Sequence, residues 1–212
     1  ADKLRTMRDH FAPGKPLWMG ETGNAQFGGE PGLSDVYLGG LWWLDQLGLL
    51  ARHGHAVVVR QTLCGMDYGL LDSRTLEPRP DYWNSLLWKK LMGRDVYMAQ
   101  ADGPHSEKLR VYAHALPGSK GEAVTLLAIN LDHRKAARLA FPDFADHRAE
   151  LYKINTTDIF SQTVLLNGTA LMRRENGNLP ELAGRRRNAP ANEPINLGPL
   201  SYMFIVFHPT AF

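Results

Sequence analysis

The stretch "KPLWMGETGNAQFGGEPGLSD", Lys15 to Asp35, decides how the rest of the chain is read. Leu17, Trp18 and Met19 form a short apolar run that reads as a buried strand. The run stops on a lone carboxylate, Glu21, and opens into a glycine-bearing loop, Gly23 to Gly32, before a helical pattern begins. A strand that stops on a glutamate and enters a loop puts that glutamate at the carboxyl end of the strand, the edge where α/β barrels assemble their reactive groups.

The elements around this stretch extend the pattern. Residues 2–12 carry Leu4, Met7 and Phe11 at helical spacing, and Pro13, Gly14 and Pro16 stop the helix. After the glycine loop, "SDVYLGGLWWLDQLGLLARHG" reads as a long helix, with Ser34 as N-cap and Gly54 as terminator. "HAVVVRQTL", His55 to Leu63, is β-branched and nearly continuous, as in a strand covered on both faces. A loop from Cys64 to Pro80 leads into a helix from Asp81 to about Gly93. The order α, β, α, β, α predicts parallel strands with crossover helices. Beyond Gly93 the pattern becomes short strand-like runs ("KLRVYAHAL", "AVTLLAINL", "ARLAFP", "RAELYKI", "TVLLNGTAL", "LSYMFIVFH") separated by Gly, Pro, Asn and Asp. This is the rhythm of an antiparallel β-sandwich. The expected organisation is α/β followed by all-β: residues 1–93 as the last strands and helices of a (β/α)8 barrel, and residues 94–212 as a β-sandwich.

Two strands do not close a barrel, which takes roughly 250 residues. Residues 1–93 supply about its last quarter, so the reading expects an N-terminal half, as a separate chain or as the remainder of a cleaved precursor. Composition adds exclusions. A formal net charge of +2 points to no particular partner, and no base-reading or aromatic-interleaved basic pattern points to nucleic acid. One cysteine, Cys64, rules out a disulfide within the chain. No run approaches the ~20 apolar residues of a membrane helix.

A glutamate with the address of Glu21 can act as the nucleophile of a retaining glycosidase. That chemistry needs a second carboxylic acid about 5–5.5 Å away to protonate the leaving oxygen. Here the chain resembles a known family. The Lys15–Asp35 stretch is similar to the nucleophile segment of heparanases and related family 79 glycoside hydrolases, here of a bacterial type. The similarity continues in order through "WWLDQLGLLARHGHAVVVRQTL", "YGLLD", "PRPDYWNSLLWKKLMG", "KLRVYAHA", "LLAINL" and "LSYMFIVF". The resemblance implies a barrel with an attached sandwich and a β-glucuronidase or endo-β-glucuronidase activity on heparan sulfate or related glucuronides. It implies Glu21 as nucleophile, and Gly28, Gly29, Gln61 and Tyr68 as substrate-binding residues. It implies no cofactor and no metal; the sequence leaves the location open, a secreted or periplasmic one being compatible with it. Where the family has Tyr-Gly-Gly-Gly, this chain reads Gln26-Phe27-Gly28-Gly29. Independent chemistry agrees: glycines let backbone N–H groups approach a ligand, and a glutamine both donates to and accepts from sugar hydroxyls.

The acid/base of such barrels is usually the glutamate of an Asn-Glu-Pro motif after the fourth strand. Asn192-Glu193-Pro194 has that form, but it follows Glu21, whereas a fourth strand must precede a seventh. The partner carboxyl is therefore expected on the N-terminal half. Two other readings stay open: a sandwich that binds a polysaccharide through Arg173, Arg174, Arg185, Arg186 and Arg187, and a retaining glycosidase for another sugar. Cys64 reads as a buried apolar residue, His53 and His55 as capping or packing residues, and Trp42 and Trp43 as core. Asn155 ("NTT") and Asn167 ("NGT") match glycosylation acceptors.

Overall fold

A computed structural model of the chain describes residues 2–187 and 193–210. Three helices, α1 (Asp2–Phe11), α2 (Tyr37–Arg52) and α3 (Pro80–Leu91), alternate with two parallel strands, β1 (Leu17–Thr22) and β2 (His55–Arg60). Ten strands follow: β3 (Val96–Tyr97), β4 (Leu109–Ala115), β5 (Val124–Asn130), β6 (Ala137–Leu139), β7 (His147–Asn155), β8 (Leu165–Leu166), β9 (Thr169–Ala170), β10 (Arg185–Arg186), β11 (Ile195–Leu197) and β12 (Ser201–Pro209). The second group builds an antiparallel sheet in the order β3-β4-β5-β12-β7-β8-β9, with β10 also on β7, and a separate β6–β11 ribbon. The architecture is that of a barrel fragment followed by a β-sandwich. The short strands β3, β10 and β11 lack an alternating run long enough to be read from sequence.

Strand alternation assigns the two faces of the sheet. On β12, Tyr202, Phe204 and Val206 face one core, and Met203, Ile205 and Phe207 face the other. On β5, Leu127 and Ile129 join the first and Leu126 and Ala128 the second. The second core is closed by the β6–β11 ribbon through Leu139, Ile195 and Leu197. The first is closed by the helices. Tyr37, Leu41, Leu44 and Leu47 form one stripe of α2, and Trp83, Leu87 and Leu91 form one stripe of α3. One continuous core therefore spans both sides of residue 93. Polar ties reinforce it: Tyr202 Oη donates to Asn84 Oδ1 at 2.8 Å, and Tyr112 Oη to Asp45 Oδ1 at 2.6 Å.

Three local expectations are corrected. Helix α2 begins at Tyr37 with Val36 as N-cap and no side-chain cap. Ser34 instead is buried, its Oγ accepting from Glu30 N–H at 2.8 Å, so it closes the preceding turn. The strands β1 and β2 are covered on one face only. Val58 packs against the helix core, while Trp18 (64% exposed) and Val59 (43%) point the other way. Cys64 is exposed, because the chain has already left β2 and runs over the surface at that point. The Leu4, Met7 and Phe11 stripe of α1 also exists but buries nothing. His53 does cap α2, and Gly54 follows it at φ +79, a conformation that glycine tolerates.

Candidate active site

Glu21 is exposed at the carboxyl end of β1, one residue before the strand stops. The parallel register aligns Thr22 with Arg60 of β2. Gln61 N–H then donates to Thr22 O at 2.9 Å, which brings Gln61 beside the Glu21 segment. Gln46 of α2 fixes the same point from behind, its Nε2 donating to Thr22 Oγ1 at 2.7 Å.

The glycine loop and the Tyr68 loop are locked together. The N–H groups of Asp67 and Tyr68 both donate to Gly28 O, at 2.8 and 3.1 Å. Gly28 and Gly29 have φ of +102 and +108. A Cβ on Gly29 would lie 2.7 Å from the Tyr68 nitrogen, so only glycine allows this approach. Tyr68 itself is buried, its ring lying under Gly23, two residues past Glu21; a Cβ there would sit 3.1 Å from the ring. The structure thus brings Gly28, Gly29 and Tyr68 into one cluster and Glu21 and Gln61 into another, with Gly23 joining them. Phe27 is fully exposed at φ +56.

Three buried charges beneath this cluster escaped the sequence reading. Arg60 Nη2 lies 2.8 Å from Asp81 Oδ2, with both side chains about 5% exposed or less. It also donates to Tyr68 O at 2.9 Å, and its guanidinium lies 5.3 and 5.0 Å from the ring centres of Trp42 and Trp43. Arg79, also buried, donates from Nη1 to Met66 O and Asp67 O at 2.9 and 2.8 Å, and from Nη2 to Asp72 Oδ2 at 3.1 Å. Burial pushes the Asp81 carboxyl up to about 6, although the Arg60 charge and the Asn84 amide pull it down. Asp72 is held well below the carboxylate range, mainly by the Thr75 and Arg74 N–H groups. The available signal was a charged residue inside an apolar run, as in "VVVRQ".

Other expectations also find their places. Glu193 is exposed, with its carboxylate 3.5 Å from Arg187 just before β11, and Asn192 lies outside the described residues. The basic residues are partly committed: Arg173 pairs with Glu77 at 2.6 Å, and Arg185 donates to Asn167 O at 3.1 Å. Asn167 uses its amide internally, donating to Leu151 O at 3.0 Å and accepting from Lys153 N–H at 3.0 Å. A glycan on that nitrogen would break the contact to Leu151. Among the described residues no group of three or more His, Cys, Asp or Glu could hold a metal ion, and no helix is long and apolar enough to cross a membrane. A cleft of about 1530 Å³ runs along β2 and α3 past Val59, Trp88 and His114, but Glu21, Gly28, Gly29, Gln61 and Tyr68 do not line it.

No family model matches the chain. It is 35% identical over 239 aligned positions to heparanase-like protein 1 of Arabidopsis thaliana, covering 97% of this chain and 43% of that protein. It is 40% identical over 215 positions to the heparanase of Bos taurus, covering 95% and 38%. A Paenibacillus polymyxa xyloglucanase of glycoside hydrolase family 44 shares the fold, with a TM-score of 0.62 at 16% identity over 99% of this chain and 35% of that one. The chain is homologous to heparanase-family proteins over most of its length, and it spans about two-fifths of the length of these curated relatives.

Proposed function

We propose that the chain is the C-terminal part of a retaining β-glucuronidase of the heparanase type, acting on heparan sulfate or related glucuronides. The observation that carries this reading is Glu21: an exposed carboxylate at the carboxyl end of a parallel strand, with Gln61 tied alongside by the bond to Thr22. The Glu21 carboxylate attacks the anomeric carbon, and the glycosidic C–O bond breaks. The leaving oxygen takes a proton from a carboxylic acid on the N-terminal half of the barrel, which completes the site. The resulting glycosyl ester is hydrolysed by a water that the same group, now a carboxylate, deprotonates. The Gly28–Gly29 backbone, Gln61 and Tyr68 hold the glucuronate. The uncovered face carrying Trp18 and Val59 supports docking of that second half, since parallel strands are normally buried on both faces.

The test is covalent labelling of the assembly of both halves with a glucuronate-configured cyclophellitol aziridine, read by intact mass and peptide mapping. One adduct on Glu21 is expected, and Glu21→Gln should lower turnover by about 10⁴-fold or more, the scale of nucleophile removal. A folded assembly that takes up no probe, or that works equally well with Glu21→Gln, sinks the reading.

A further inference from the structure

Two buried arginines sit directly beneath the segment that joins the glycine turn to Tyr68, and they divide its backbone between them. Arg79 Nη1 donates to the carbonyls of Met66 and Asp67, and Arg60 Nη2 donates to the carbonyl of Tyr68. Because a trans peptide is planar, its C=O and N–H point in opposite directions. Fixing the Met66 and Asp67 carbonyls on the guanidinium side therefore aims the N–H groups of Asp67 and Tyr68 the other way, where both meet Gly28 O at 2.8 and 3.1 Å. Two successive N–H groups converging on one acceptor form a small concave nest, and Met66 enters it at φ +62. The glycine turn thus hangs from peptide planes whose far sides are held by arginine. Asp72 holds the fork in turn, accepting from Arg79 Nη2 and from the N–H groups of Arg74 and Thr75 at 2.9 Å each.

We propose that Arg79, seconded by Arg60, is a positioning residue of this site: it sets the Gly28–Gly29 turn and Tyr68 in the geometry that recognises the glucuronate carboxylate. The inference rests on the glucuronidase reading for its functional half. Arg79 touches no substrate; it acts through the peptide planes it holds. A lysine keeps the charge but not the planar two-nitrogen fork. A displacement of the turn of about 1 Å is enough to cost on the order of 100-fold in rate.

The experiment uses Arg79→Lys and Arg79→Ala in the assembly of both halves, with Asp72→Asn as a milder variant that releases only Nη2. Three quantities are read: amide hydrogen exchange at Asp67 and Tyr68, the rate of probe labelling at Glu21, and kcat/KM for a β-glucuronide against the matching β-glucoside. In Arg79→Lys, exchange at both amides should quicken, labelling should fall 10- to 100-fold, and the preference for glucuronide over glucoside should shrink. Millimolar ethylguanidinium should restore part of the labelling in Arg79→Ala, and Asp72→Asn should show a smaller loss in the same direction. If Arg79→Lys fails to fold, Asp72→Asn decides alone: unchanged exchange and unchanged sugar preference overturn the proposal. Normal labelling in a folded Arg79→Lys overturns it as well. Absence of labelling in the wild type overturns the glucuronidase reading and this site's functional half with it, while exchange at Asp67 and Tyr68 still reports separately on the clamp.

Discussion

The parallel pair and the antiparallel sheet are built from similar apolar runs and end in opposite states. "LWMGET" and "HAVVVR" have a covered face and a bare one. "SYMFIVFHP" is buried from Ser201 to Phe207. Propensity does not separate them. Strand β12 is paired on both edges, by β5 and β7, and sandwiched between the helix-backed core and the ribbon-backed core. Within the described residues, β1 and β2 pair only with each other, with helices on one side. An apolar strand is buried only to the extent that other elements cover it, and this chain covers its second region far better than its first.

The sharpest way to break this comparison is to truncate an apolar residue in each region. Phe204→Ala should cost about 3–5 kcal/mol, while Trp18→Ala, 64% exposed, should stay within about 0.5 kcal/mol in the chain alone. Urea denaturation measures both, and comparable losses would mean that the bare face is covered in solution. A second test attacks the joint between the regions. Gly48 of α2 faces Tyr112 of β4, and a Cβ there would lie 2.3 Å from the ring. Gly48→Ala should therefore cost about 1–3 kcal/mol by overpacking, despite the helix propensity it gains. A stabilised variant would show that α2 and the sheet are loosely docked.

The buried pair under the site offers a test by pH. Asp81 titrates near 6 in the folded chain, above the ordinary carboxylate value, because burial disfavours its charge. A raised value means that the neutral form favours folding. That contribution is complete below about pH 4 and is lost as pH rises through about 6, amounting to on the order of 2 kcal/mol. The stability advantage of the wild type over Asp81→Asn should therefore narrow between pH 4 and pH 7, in parallel urea titrations. A widening gap would mean that attraction to Arg60 outweighs the cost of burial. The smallest effect belongs to Arg173 and Glu77, which link the two regions at the surface with side chains 40% and 50% exposed. Arg173→Ala should cost less than about 1 kcal/mol, and added salt should erase the difference; a larger loss would make the surface bridge part of the joint.

Much of this molecule is legible from residue order alone. The helical spacing in α1, the helical patterns of α2 and α3, the β-branched run of β2 and the short apolar runs of β4, β5, β7 and β12 are local patterns, which a neighbour can cover or uncover but not rewrite. The position of Glu21 at a strand end was legible for the same reason. Ser34 misled, because a serine ahead of a helix serves equally well in a turn, and Cys64 misled, because cysteine is usually buried as a residue type while this one lies on an exposed loop. The pairing of Gly28 with Asp67 and Tyr68, and the clamp of Arg60, Arg79 and Asp81 beneath them, were not legible. These contacts join residues 8 to 40 positions apart whose meeting depends on how two loops fold over the ends of β1 and β2. What the sequence determined by itself was the kind of each longer element and the carboxylate at the end of β1, since those are set by neighbours in the chain. What only the tertiary structure decided was which faces are covered and how the site's backbone is held, because burial and buried charge depend on what packs above and below.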